Sequence, residues 1–310
     1  MYQNYKVVVN TAAGRRRYMQ YLVPPILNAD IVDRYDIWVN TRNMVDIEFF
    51  KKLAQKYPKV NLVWQPDGVV NGIASINAFY RDCCDKDTIY MKLDDDVVWF
   101  EPELFEKMVK FRVDNPEYFL VSPLVINNAL STYLLQVHNK IKLDKYYMSI
   151  CGERTICFDG WFAADLHDWF MEKYLIAGKY QELYVGKHPM GMARFSINCV
   201  LWFGNEMAEF KGEVLGDDEE FLSCIKPTQL GKANCFNGDA LIAHFAFGPQ
   251  REGLDKMDIL NRYGKILHDL WKQDESMREI DISVQQMIKK VEAREAELNS
   301  LPSCLLYTSP

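Results

Sequence analysis

The segment Thr88–Phe105, TIYMKLDDDVVWFEPELF, decides how this chain is read. An apolar, strand-like run ends in three consecutive aspartates, whose like charges repel one another unless solvent or a cation lies between them. The segment predicts a strand, TIYMKL, that delivers carboxylates to its own C-terminal end.

Upstream, short apolar runs alternate with amphipathic stretches. KVVVN (Lys6–Asn10) predicts a strand, and TAAGRRRYMQYLVPPIL predicts a loop leading into a helix that Pro24 and Pro25 interrupt. YDIWVN is a second strand. DIEFFKKLAQKYP is a helix with Ile47, Phe50 and Ala54 on one face and Pro58 as its stop. VNLVWQ is a third strand, NGIASINAFYRDCC a second clear helix and TIYMKL a fourth strand. Repeated β-α-β predicts an α/β fold: an open, mostly parallel sheet with helices on both faces, plus a C-terminal amphipathic helix. Ligands of such sheets collect beyond the carboxyl ends of the strands. Thr11–Arg17, Asn40–Asn43, Pro66–Asn71 and Asp94–Asp96 all fall there.

No Pro/Gly/Ser-rich linker and no internal repeat divides the chain, so residues 1–270 are expected as one domain with halves 1–100 and 101–270. Residues 271–302 follow as a helix with Met277, Ile280, Val284, Met287, Val291 and Leu298 on a stripe broken by Arg294. The stripe would pack on its own domain or form a homodimer seam. Residues 303–310 end in CLLYTSP, which resembles the translated end of a sequencing adapter. They are excluded from fold reasoning, with a metagenomic source and a missing true C-terminus as the expectation.

With 49% hydrophobic residues in 310, the chain can bury a sizeable core. A net charge of −7 with scattered Lys and Arg argues against a broad nucleic-acid footprint. The eight cysteines have neither C-x-x-C nor paired metal-finger spacing, and read as reduced thiols. The chain has no apolar run of membrane-spanning length and no signal-peptide pattern, so a cytoplasmic location is expected.

On an extended strand alternate side chains share a face, so Asp94 and Asp96 are expected to point the same way. Two adjacent carboxylates suit a hard divalent ion that keeps positions open for phosphates, Mg²⁺ or Mn²⁺. The competing explanation is a solvated acidic turn. A second acidic run, LGDDEEFLS (Leu215–Ser223), opens a helix, where Asp217 and Asp218 are either N-terminal capping residues or a general base. His244, in ALIAHFAFGPQR, is either a satisfied core histidine or a metal ligand. The aromatics Trp161, Phe162, Trp169, Tyr174, Trp202 and Phe203 would stack on sugars or bases, or fill the core.

In their order, NGIASINAFYRDCCDKDTIYMKLDDDV, GDDEEFL and AHFAF resemble the GT-A-fold glycosyltransferases, particularly the inverting group that uses nucleotide sugars. The likeness runs from Lys6 to about Arg251. The resemblance implies a D-x-D metal site of Asp96, Asp94 and His244, and makes 1–100 the nucleotide-sugar half and 101–270 the acceptor half. Asp94 would lie near the ribose or sugar, with Asp95 supporting. Thr11, Ala13, Arg15 and Asp67 would surround the nucleoside, and Arg15 or Lys92 would neutralise the leaving diphosphate. Asp218, with Asp217 next in line, would be the catalytic base. The arginine-rich acceptor motif of processive synthases is absent, which argues against polymer synthesis.

The implied activity is a hexosyltransferase-type glycosyltransferase using Mn²⁺ or Mg²⁺ and a nucleoside diphosphate sugar. Its acceptor would be a hydroxyl on a glycan, lipid, protein or modified nucleobase. Two alternatives stand beside it. A nucleotidyltransferase would carry a Gly-rich basic signature after the first strand, which TAAGRRR offers weakly, and a non-catalytic nucleotide-sugar or glycan-binding module would lack base or metal ligands.

Overall fold

The computed structural model describes residues 2–65, 70 and 73–300. Asp67, Asn71, Gly72 and the terminal residues from 301 onward, all singled out in the sequence, lie outside them. The chain divides into two compact units, residues 1–95, 203–218 and 271–310, and residues 96–202 and 219–270.

In the first unit β1 (Lys6–Ala13), α1 (Arg16–Asn28), β2 (Arg34–Val39), α2 (Met44–Lys56), β3 (Val60–Val63), α3 (Ile73–Ala78) and β4 (Thr88–Leu93) follow in order. The strands lie β3-β2-β1-β4, every pair parallel. Val7, Val9, Ile37, Ile89 and Met91 are wholly buried, as strands covered on both faces require. β1 runs three residues further than expected, because Thr11, Ala12 and Ala13 continue the pairing with Ile37, Trp38 and Val39.

Pro24 and Pro25 sit inside α1 and do not end it. A mid-helix proline costs about 3 kcal/mol, and here burial of Tyr18, Met19, Leu22, Val23 and Ile26 on the same helix offsets it. Asn43 caps α2, its Oδ1 accepting from the N–H of Val45 at 2.9 Å and of Asp46 at 3.3 Å.

The C-terminal helix Glu275–Glu292 packs on α1 and α2 of the same unit. Met277, Val284, Met287, Ile288 and Val291 are buried. Lys56 Nζ donates to Ser283 Oγ at 2.5 Å, and Gln285 to Gln20 at 3.1 Å. The stripe expected as a possible homodimer seam is therefore covered within its own unit.

The second unit holds β5 (Val97–Phe100), α4 (Leu104–Asp114), β6 (Val121–Ile126), α5 (Ala129–Val137), α6 (Arg154–Phe158), α7 (Gly160–Phe170), β7 (Lys187–Gly191), β8 (Cys199–Phe203, its last residue in the first unit) and β9 (Asn234–His244). Its strands lie β8-β6-β9-β5, with β7 also against β9. β6 and β9 are parallel and the other pairs antiparallel. The α/β class with a mostly parallel open sheet holds. Trp202 and Phe203 are core residues, the second of the two roles open to these aromatics. Among the described residues no helix is long and apolar enough to cross a membrane.

Candidate active site

The aspartate run begins where β4 ends. Leu93 is the last strand residue, and Asp95 and Asp96 form a turn. Strand alternation is therefore not what orients their side chains. The boundary between the two units falls inside the run, after Asp95, so the surroundings of each part are taken separately.

In the first unit, the loop after β1 meets the run. The Gly14 backbone N–H donates to Asp95 Oδ2 at 2.9 Å, and Arg15 Nε lies 3.1 Å from both carboxylate oxygens. An Arg15 terminal nitrogen also donates to Asp95 Oδ1, so the fork engages a buried carboxylate. Arg15 stacks over the Tyr18 ring at 4.9 Å, which fixes its direction. Thr11 and Ala13 lie within β1 with fully buried side chains. Their side chains do not surround an open loop.

Lys92, buried near the end of β4, donates to Asp94 Oδ1 at 2.7 Å and lies 4.0 Å from Asp218 Oδ2. Tyr80 Oη donates to Asp218 Oδ2 at 2.9 Å. Burial, and then the Asp218 carboxylate, push the Tyr80 hydroxyl well above its ordinary range, so it remains a donor.

The segment before Asp218 is held from two sides. Asn77 Nδ2 donates to the carbonyls of Val214 at 3.1 Å and Gly216 at 2.8 Å. Gly212, at φ +62°, is so close to the Tyr80 carbonyl that a methyl group there would lie 2.2 Å from the oxygen. Asp218 begins the helical stretch expected from the sequence, with Asp217 half-buried just before it.

In the second unit, Asp96 and His244 are both buried, with Nε2 and Oδ1 3.4 Å apart. β5 and β9 bring them together: Val97 is in register with His244, and the Phe245 N–H donates to the Asp96 carbonyl at 2.8 Å. Arg251 Nη2 lies 3.6 Å from Asp96 Oδ2. His244 Nδ1 faces the Asn127 carbonyl at 3.4 Å, and the Phe247 ring meets the imidazole edge-on at 4.8 Å.

Behind this strand end lies a buried histidine. His167 contacts the Phe245 carbonyl through Nε2 at 2.8 Å and the Tyr263 hydroxyl through Nδ1 at 2.9 Å. Desolvation lowers it to about 4, so it is neutral at pH 7. Tyr80, Arg251 and His167 were not anticipated as parts of these surroundings. Arg251 was legible as a cation seven residues after His244, whereas Tyr80 reads simply as a core aromatic.

No protein-family model and no curated protein matches the chain. Among solved structures it is similar to 4-diphosphocytidyl-2C-methyl-D-erythritol synthase from Anaerococcus prevotii DSM 20548, at 11% identity and TM-score 0.43 over 84% of this chain and 96% of that one. It is similar to a mycobacterial protein at 12% identity and TM-score 0.47, over 86% of this chain and 74% of that one. A third is the CMP:2-keto-3-deoxy-manno-octonic acid synthetase complexed with CTP, at 10% identity and TM-score 0.43, covering 84% and 99%. The two with a named activity are a synthase and a synthetase by name, and neither is named a glycosyltransferase. The hexosyltransferase-type glycosyltransferase expected from the motifs is corrected accordingly.

Proposed function

We propose that the chain is a divalent-metal-dependent nucleotidyltransferase, joining a nucleoside monophosphate from a nucleoside triphosphate to an oxygen of a second substrate. The observation that carries this reading is the pairing of two cations with consecutive aspartates at one strand end, Lys92 with Asp94 and Arg15 with Asp95. A triphosphate needs such cations beside its metal-binding carboxylates, and TAAGRRR supplies Arg15 from the loop after β1.

Asp96, His244 and Asp94 are the proposed metal ligands. Carboxylate oxygens with one imidazole suit Mn²⁺ or Mg²⁺, and the close, buried approach of Asp96 and His244 fits a shared cation. Asp94 is separated from Asp96 by one residue, so covalent geometry alone keeps their Cα atoms within about 7 Å. When bound, the ion would neutralise phosphate charge and polarise the phosphoryl group under attack.

The acceptor oxygen forms a bond to the α-phosphorus while the bond from that phosphorus to pyrophosphate breaks. Arg15 and Lys92 balance the charge of the leaving pyrophosphate. Where the acceptor is a hydroxyl, Asp218 takes its proton, oriented by Tyr80, with Asp217 the adjoining carboxylate. A panel of the four common nucleoside triphosphates, each with Mg²⁺ or Mn²⁺, tests the reading by thermal stabilisation and binding calorimetry. If none shifts the melting temperature or binds, the reading fails.

A further inference from the structure

Helix α7 carries Trp161, Asp165 and Trp169 at four-residue intervals, so they rise along one face. The core-facing positions are taken by Ala163, Ala164, Leu166, His167 and Phe170. The Trp161–Trp169 face instead lines a cleft of about 600 Å³, whose other walls come from residues 141–145, Tyr147, Thr155 and Asp159. Trp161 is 60% exposed, an unusual position for so large an aromatic. The neighbouring rings are braced: Phe162 lies 5.1 Å from Tyr147, and Trp169 meets Tyr174 edge-on at 4.9 Å.

The polar part of the lining is acidic on balance, with Asp144, Asp159 and Asp165 against Lys142 and Lys145. Asp144 accepts from the Tyr147 hydroxyl at 3.0 Å, and Asp159 caps α7 through the N–H groups of Trp161 and Phe162. A carboxylate offers about four lone-pair sites, so these groups retain acceptor capacity. Excess carboxylate disfavours a polyanion. Flat aromatic faces beside hydrogen-bond acceptors match a pyranose, which has an apolar C–H face and a rim of hydroxyl donors.

We propose that this cleft is a carbohydrate-binding site for a neutral oligosaccharide, with Trp161 and Trp169 as stacking platforms and Asp165 accepting from hydroxyls between them. Eight residues of helix separate the two tryptophans by about 12 Å along the axis, a span for more than one sugar ring. The inference does not depend on the nucleotidyltransferase reading. None of Arg15, Lys92, Asp94, Asp96, Asp218 and His244 lines the cleft.

The test titrates the full chain with cellohexaose, maltohexaose and chitohexaose, following tryptophan fluorescence and calorimetric heat. At least one should bind saturably and shift the emission. Trp161→Ala and Trp169→Ala should each weaken it about tenfold, and Asp165→Asn several-fold, with the circular dichroism spectrum unchanged. Trp161→Phe or Trp169→Phe should retain part of the affinity that the alanine variants lose, which separates stacking from a fold defect. The proposal is overturned if no hexasaccharide binds, or if binding survives the double Trp→Ala variant. It is also overturned if the chain instead binds phosphatidylcholine/phosphatidylglycerol vesicles through Trp161 and the exposed Met148, Ile150 and Phe158.

Discussion

Arg15 and Asp95 form a forked ion pair that ties the loop after β1 to the end of β4, with Gly14 adding a backbone donor to the same carboxylate. Asp95 is buried, so the pair fixes the loop as well as balancing charge. Arg15→Ala should weaken nucleoside triphosphate binding by about 2 kcal/mol, roughly thirtyfold, measured by calorimetry with Mg²⁺ present. Arg15→Lys should recover only part of this, because an ammonium cannot reproduce the fork. Equal affinity in Arg15→Ala and the parent would remove Arg15 from the nucleotide site.

Asp96 and His244 are proposed to share the ion, so each should be indispensable for metal affinity. Asp96→Ala and His244→Ala should weaken Mn²⁺ binding about a hundredfold or more, read by Mn²⁺ paramagnetic resonance. Each should also abolish metal-induced thermal stabilisation. Wild-type Mn²⁺ affinity in both variants would place the ion elsewhere.

Asp218 accepts from Tyr80 and lies beside Lys92. With a hydroxyl acceptor, Asp218→Asn should lower kcat about a hundredfold or more while nucleotide affinity stays close to that of the parent. Tyr80→Phe, which removes only the orienting hydrogen bond, should cost kcat about tenfold. Loss of nucleotide binding in Asp218→Asn would make Asp218 a structural partner of Lys92 and not a base.

The parallel core was readable because β1 to β4 are short apolar runs separated by amphipathic ones, a pattern set by burial and therefore written locally. Asp94–Asp96 at a strand end follows from equally local chemistry. What stayed hidden depends on contacts between distant residues. α1 passes through Pro24 and Pro25 because its buried side chains compensate, which no window around the prolines contains. β5, directly after the aspartates, went unread because it pairs with β9, some 140 residues later. The partners of Asp95 and Asp218 come from Arg15 and Tyr80, at separations of 80 and 138 residues. Motif order pointed to glycosyl transfer because an acidic strand end serves any chemistry that gathers a metal and phosphates. The spacing marks candidate ligands and leaves the bond that breaks open.

His167 supplies a pH test of the second unit. It is fully buried between the Phe245 carbonyl and the Tyr263 hydroxyl, with His244 the nearby titratable group that also disfavours its charge. Its folded value of about 4 lies below the ordinary 6.5, so the unfolded chain binds the extra proton first as pH falls. The stabilisation from neutral His167 is therefore complete above about pH 6.5 and is lost as pH falls towards 4. Over that window the parent should lose roughly 3 kcal/mol of unfolding free energy beyond the loss in His167→Gln. Urea denaturation at pH 7, 5.5 and 4 on both proteins, without added metal, measures the difference. If the two lose stability in parallel, His167 does not drive the acid sensitivity of this unit.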